Sequence, residues 1–157
     1  MREVGYRPSM SRNVRTVAAP PSAVWAVLGD GWLYPVWVVG AARMREVDEH
    51  WPAVGARLHH SVGIWPLLID DNTEVLESEP EQLLRLRTRG WPAGEAEVVI
   101  RLAAVGAGTE ITLDEDAVEG PGSYVPQPLR TPVLAWRNTE TLRRLCFVVE
   151  NRQEEIA

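Results

Sequence analysis

Two textures of hydrophobic and polar positions divide the chain. From Ala41 to Val118, apolar and polar residues alternate in short runs broken by turn residues, the pattern of antiparallel strands joined by hairpins. Six strands are expected there: Ala41 to Asp48, Ala56 to Val62, Leu67 to Ser78, Gln82 to Arg89, Ala96 to Val105 and Thr109 to Val118. The breaks contain Pro52 and Gly55, Gly63 and Pro66, Glu79-Pro80, Gly90 to Gly94, and Gly106-Ala107-Gly108, residues that preset or permit turn dihedrals. From Thr131 to about Arg152 the period lengthens to that of a helix. Leu134, Asn138, Thr141, Leu142, Leu145, Val148 and Val149 share one face there, while Trp136, Glu140, Arg143, Phe147 and Glu150 point elsewhere. Thr131 is placed to cap this helix with Pro132 behind it, and Glu140 to pair with Arg144 one turn on. Its stripe is interrupted by Asn138 and Thr141 but purely aliphatic from Leu142 to Val149. The second half is therefore expected to pack, and the first to face something polar.

Upstream, Asn13 to Ala19 reads as a strand. Pro20-Pro21-Ser22 opens a short helix through Leu28 that ends at Gly29-Asp30-Gly31, and Trp32 to Val39, broken by Pro35, reads as a helical turn lining an interior. Residues 1–12 carry no clear period and are taken as a loose arm.

Because side chains alternate across a strand, the faces can be assigned. Leu84 and Leu86 oppose Arg85, Arg87 and Arg89; Ala96, Val98, Ile100 and Leu102 oppose Glu95, Glu97 and Arg101. Leu58, His60 and Val62 fall inside with Arg57 and His59 outside, and Ile111, Leu113, Glu115 and Ala117 inside with Asp114 and Asp116 on a solvated outer face. A sheet with one dry face needs a cover, and the C-terminal helix is the element long enough to supply it. The expected fold is α+β: a curved antiparallel sheet of about seven strands around a long C-terminal helix, with two short helices after the first strand. Residues 1–157 form a single domain in this reading. The Gly/Pro-rich loop Glu119 to Pro126 is expected to close one end of the space between helix and sheet.

Composition narrows the function. A chain of 157 residues fits one domain that buries roughly 70% of its unfolded surface. The single Cys146 excludes an internal disulfide and an all-cysteine metal site, and reads as a small buried apolar side chain. The N-terminus lacks a basic-then-apolar leader, which points to the cytoplasm. The longest apolar run, Trp32 to Gly40, is about half a membrane span and contains Pro35. A net charge of −6 without a basic cluster argues against nucleic acid. All sixteen basic residues are Arg, which removes lysine Schiff-base and P-loop chemistry; the Arg, Ala, Val and Gly bias suggests a GC-rich bacterial genome.

Candidate chemistry concentrates in His59-His60 and Asp70-Asp71. If Gly63 to Pro66 forms the hairpin turn, His60 and Asp71 share the inner face of neighbouring strands. A carboxylate beside an imidazole raises its pKa and orients it, as a general base needs; the same pair can equally bind a ligand or hold the hairpin. Alternation sends His59 to the opposite face from His60, so the cluster is a poor metal site. Glu115 is an inward carboxylate near the mouth. Among seven tryptophans, Trp25 reads as core, whereas Trp32, Tyr34, Trp37, Trp65, Trp91 and Tyr124 lie where rings can stack on a planar ligand at the cavity entrance. Trp136 and Phe147 lie on the back of the terminal helix, against a second subunit or the N-terminal arm. Asn138 and Thr141 can hydrogen-bond a ligand oxygen or satisfy one another and a strand carbonyl.

Several words match a known pattern: Ala19-Pro20-Pro21 followed by Val24-Trp25, Leu28, Asp30, Tyr34 and Trp37; Thr73 to Glu77 followed by Pro80 and a leucine-rich strand; Gly108-Thr109; and Asn138 with Leu142 and Leu145. With the element order, they make the chain resemble the START-like helix-grip superfamily, also called SRPBCC, in its polyketide cyclase/dehydrase-like branch. The resemblance spans nearly the whole chain. It implies a deep cavity that takes up hydrophobic small molecules, in many members without catalysis, and it implies no cofactor. The expected ligand is hydrophobic, aromatic or polyketide-like, held by Tyr34, Trp37, Trp65, Trp91, Glu115, Tyr124, Asn138 and Thr141. If chemistry occurs, it is cyclisation or dehydration with His60 and Asp71 moving a proton. The rivals are a non-catalytic lipid or metabolite carrier or sensor, and an interaction module with a vestigial cavity. The protein is expected to be a monomer or homodimer.

Overall fold

The computed structural model describes residues 10–90 and 94–156. The alternating segment folds as a continuous antiparallel meander: β2 (Ala41–Val47), β3 (Arg57–Ile64), β4 (Leu67–Glu79), β5 (Leu83–Gly90), β6 (Gly94–Val105) and β7 (Gly108–Glu119). The first strand, β1 (Ser11–Val17), joins the far side of β7, so the sheet runs β1-β7-β6-β5-β4-β3-β2. Between β1 and β2 lie α1 (Pro21–Leu28), a 3-10 turn (Gly31–Leu33) and the single-turn α2 (Tyr34–Trp37). A second 3-10 turn (Pro121–Tyr124) leads into α3 (Gln127–Ile156).

Register shifts interrupt the β2–β3, β4–β5 and β6–β7 ladders. Each extra residue bends its strand, and together they curl the sheet around α3. The β3–β4 turn depends on Gly63, whose φ is 115° and whose missing Cβ would meet the carbonyl oxygen of Leu67.

The dry face forms as alternation predicts. Leu58, Val75, Leu84, Leu86, Ile100, Ile111 and Leu113 are buried and meet Leu142, Leu145, Cys146 and Val149 from the second half of α3. Val17, Val24, Val27 and Leu28 extend this core, and Trp51 joins it by donating its indole N–H to the Leu28 carbonyl (3.0 Å).

Two expectations need correction. Asp114 and Asp116 do lie on the outer face, but neither is solvated: they are 1% and 9% exposed. Arg12 and Arg101 close on Asp114 (each at 2.7 Å), and Arg130 pairs with Asp116 at 2.8 Å. Alternation fixes the side of the sheet, not what the long arginine stems of neighbouring elements cover. The helix also starts a turn earlier than Thr131, leaving Pro132 inside it. The N–H groups of Leu129 and Arg130 donate to the Pro126 carbonyl, and Arg130 donates to the Ser123 and Val125 carbonyls as well as reaching Asp116. That anchorage of Arg130 offsets the local cost of an interior proline, which no helical period can show.

Candidate functional site

The first half of α3 is fastened to the sheet edge, where Asn13 of β1 donates to the Ala135 carbonyl at 3.0 Å and the Thr139 hydroxyl at 2.8 Å. It leaves the concave face of the sheet uncovered. A cavity of about 720 Å³ lies between them. Its walls are Val62 and Ile69 from β3 and β4, Leu86 and Thr88 from β5, Ala96, Val98 and Ile100 from β6, and Leu113 and Ala117 from β7. Val133, Leu134, Arg137, Asn138 and Thr141 of α3 face them, Tyr34 and Trp37 of α2 form one end, and Gly122 and Val125 contribute from the closing loop. Most of this surface is aliphatic; one group of polar residues gathers where α2 and α3 meet the sheet, and Arg89, Glu95 and Arg130 line the cavity as well.

That polar end begins with His60, which is 2% exposed and lines the cavity. Its Nε2 lies 2.9 Å from the Thr73 hydroxyl, which in turn lies 3.2 Å from the Tyr34 hydroxyl. The Tyr34 ring packs edge-on against Trp37 at 5.3 Å and beside the His60 imidazole at 5.4 Å. Burial pushes Tyr34 up to about 12, against the opposing hydrogen bond from Thr73. Burial likewise lowers His60 from its ordinary value, and the opposing charge of Asp71 is too weak to reverse this. Both groups are thus neutral at neutral pH.

His60 and Asp71 occupy directly opposed register positions on β3 and β4. Asp71 is not, however, the partner of the imidazole. Its Oδ1 accepts the Asn72 N–H at 2.7 Å, Thr73 takes His60 Nε2, and Nδ1 has no partner. The expected rise in the His60 pKa gives way to a fall because the imidazole is dry and the carboxylate serves the backbone.

Glu115, expected near the mouth, is 2% exposed. Arg137 donates from Nη2 to both of its carboxylate oxygens. Burial opposes the arginine's charge, but Glu115 more than compensates and raises the guanidinium above its ordinary value. Sequence reasoning passed over Arg137, although it lies three residues after Leu134 and four before Thr141 and so shares the cavity stripe. Thr141 accepts the Val39 N–H at 3.3 Å, tying α3 to the segment after α2.

Three polar atoms of cavity-lining residues are themselves buried and have no hydrogen-bond partner: Trp37 Nε1, His60 Nδ1 and Asn138 Nδ2. Their residues are 2–3% exposed. An unmet buried polar group costs about 1–3 kcal/mol.

The structure thus gathers Tyr34, Trp37, His60, Glu115, Asn138 and Thr141 around one cavity. Trp65, at the β3–β4 hairpin tip, is 81% exposed, and Tyr124 is 87% exposed because its 3-10 turn directs neighbouring Gly122 and Val125 inward instead. Neither lines the cavity. Trp91 lies outside the described residues. No cluster of three His, Cys, Asp or Glu side chains able to hold a metal occurs among the described residues.

A curved sheet gripping a long helix, with a cavity between them, defines the helix-grip class of START-like, or SRPBCC, proteins. Residues 10–146 match the family described as polyketide cyclase / dehydrase and lipid transport, and the chain belongs to that family. No curated protein matches the sequence. Among solved structures, protein NE0264 from Nitrosomonas europaea aligns with a TM-score of 0.72 and 18% identity over 95% of this chain and 99% of that one. Protein CV1439 from Chromobacterium violaceum gives 0.64 and 21% over 91% and 99%. DynU16, from the dynemicin biosynthetic locus, gives 0.63 and 23% over 92% of this chain and 48% of its own. At these identities the likeness is one of fold. Hydrophobic ligand binding is the general property that the family supports.

Proposed function

We propose that the chain acts as a single ligand-binding domain that holds an aromatic or polyketide-like small molecule between α3 and the sheet. The observation that carries this reading is the cavity of about 720 Å³, walled mostly by aliphatic side chains with a cluster of polar groups where α2 and α3 meet the sheet. Its size is in the range of small-molecule sites, and its few convergent polar groups suit orientation more than affinity. Both halves of the family description, cyclase and lipid transport, are compatible with it. Tyr34, Trp37, Glu115, Asn138 and Thr141 are the proposed contacts, and the cytoplasm the proposed location.

Native mass spectrometry of gently purified protein tests the reading. One bound small molecule, released on denaturation, is expected; protein that carries none and binds none from an extract of its source contradicts it.

A second reading, proton transfer during cyclisation or dehydration, is favoured by the unpartnered Nδ1 of His60, a residue that lines the cavity. In the tautomer whose Nε2–H donates to Thr73, Nδ1 keeps the lone pair that a proton acceptor needs. Incubation of the recovered compound with wild-type protein and with His60→Ala separates the two. Conversion by wild type alone supports catalysis, and no conversion by either supports a carrier or sensor.

A further inference from the structure

The back of α3 carries a second stripe that the fold does not bury. Trp136, Glu140, Arg143 and Phe147 follow one another at the alternating steps of four and three residues that make a coiled-coil seam. They share a narrow sector of the helix, turned away from the cavity-lining Asn138 and Thr141. Trp136 is 72% exposed and Phe147 66%. Between the two rings, Glu140 is bound by Arg143 at 2.8 Å and by Arg144 at 2.9 Å, all on the same helix. Two large rings flanking a charge pair on one open face mark an interaction surface rather than scattered apolar residues.

The order of these four residues decides what can cover them. Aromatic, acid, base, aromatic read in reverse is aromatic, base, acid, aromatic, so the stripe is complementary to itself when two helices run antiparallel. With a two-fold axis between Thr141 and Leu142, Trp136 meets Phe147 of the partner subunit and Glu140 meets Arg143 of the partner subunit, each pair occurring twice. A parallel arrangement would set Glu140 against Glu140 and Arg143 against Arg143. Centring the axis on either charged residue would set that charge against itself. Like charges brought together across an interface are unfavourable, so one orientation and one register remain.

We propose that α3 is a dimerisation helix, and that two copies of the chain join antiparallel along Trp136, Glu140, Arg143 and Phe147. Four rings that each bury roughly 150–250 Å² put the interface at the lower end of the specific range. The dimer is therefore weak and reversible, populated at micromolar concentrations. Because Asn138 and Thr141 lie on the other side of the helix, both cavities stay outside the seam. Dimerisation is thus independent of what the cavity holds.

Sedimentation equilibrium of the full chain, from low to high micromolar concentration, tests this. Wild type should pass from monomer to dimer and go no further. Glu140→Arg and Arg143→Glu each place like charges at both crossings and should lower the association constant at least about tenfold. An equimolar mixture of the two variants restores opposite charges at both crossings and should recover a dimer at least as tight as that of wild type. Wild type that stays monomeric or assembles beyond a dimer, single variants that associate like wild type, or a mixture that stays monomeric would each overturn the proposal. Should either charge variant not fold, Trp136→Ser and Phe147→Ser carry the test, and unchanged association in both overturns it. Orientation is read by oxidising a mixture of Trp136→Cys and Phe147→Cys. A disulfide between the two variants is expected, whereas linkage of either variant with itself contradicts the antiparallel register.

Discussion

At the scale of single residues, the cavity's polar end is a set of groups whose states are fixed by what surrounds them. Glu115 is almost fully buried, whereas the Arg137 side chain that holds it is 38% exposed. Removing the guanidinium strands a buried carboxylate, and Arg137→Met should destabilise the fold by about 2–3 kcal/mol, under the range for fully buried pairs because solvent screens one partner. Urea denaturation checks this, and Glu115→Leu added to Arg137→Met should recover most of the loss. A change below about 0.5 kcal/mol in the single variant would show that the pair does not hold the carboxylate. His60 gives a pH dependence of known sign. Its pKa is depressed in the folded state, so the unfolded chain binds the proton first as pH falls. The stability it contributes is complete above the unfolded value of about 6.5 and is lost below it as pH falls toward and through the folded value. Melting temperature should drop more between pH 7.5 and 5.5 for wild type than for His60→Gln, and parallel curves would contradict a dry imidazole. The inward positions of His60 and Glu115 were legible from strand alternation. Their partners were not, because the choice of Thr73 over Asp71, and of Arg137 for Glu115, depends on side-chain reach between elements.

At the scale of elements, α3 divides as its stripe indicates. Leu142, Leu145 and Val149 are clamped by the sheet, and Asn138 and Thr141 face the cavity side. Leu145→Ala should therefore cost about 2–5 kcal/mol, as for other fully buried leucines, while Phe147→Ala, at a position 66% exposed, should stay within about 0.5 kcal/mol. Equal losses measured by chemical denaturation would mean the helix phase is wrong. Strand faces were readable because a period of two leaves only two choices. The helix start was not, since it depends on Arg130 reaching Asp116 on β7 and the Ser123 and Val125 carbonyls of the preceding loop, contacts that a helical period does not encode. Trp65 and Tyr124 show a related limit: an aromatic ring in a turn can point either way, and turn chemistry does not say which.

At the scale of the whole molecule, the curved sheet and the long helix would close into an ordinary core if both halves of α3 were aliphatic. Arg137, Asn138 and Thr141 opposite Val98, Ile100 and Glu115 instead leave room for a guest, while Asn13 of β1 keeps the first half fastened to the sheet edge. No helix among the described residues is long and apolar enough to cross a membrane. The cavity as such was foreshadowed by the polar interruption of the stripe and by the family resemblance; its volume and unmet donors come from the packing of distant segments. The most direct test of ligand binding is fluorescence titration of the neutral probe phenylnaphthylamine into wild-type protein and Val98→Trp, a variant that fills the cavity from β6. Saturable binding at one site in wild type, lost in a variant of unchanged circular dichroism, is the predicted result. Equal binding by the two proteins, or none by wild type, would contradict it.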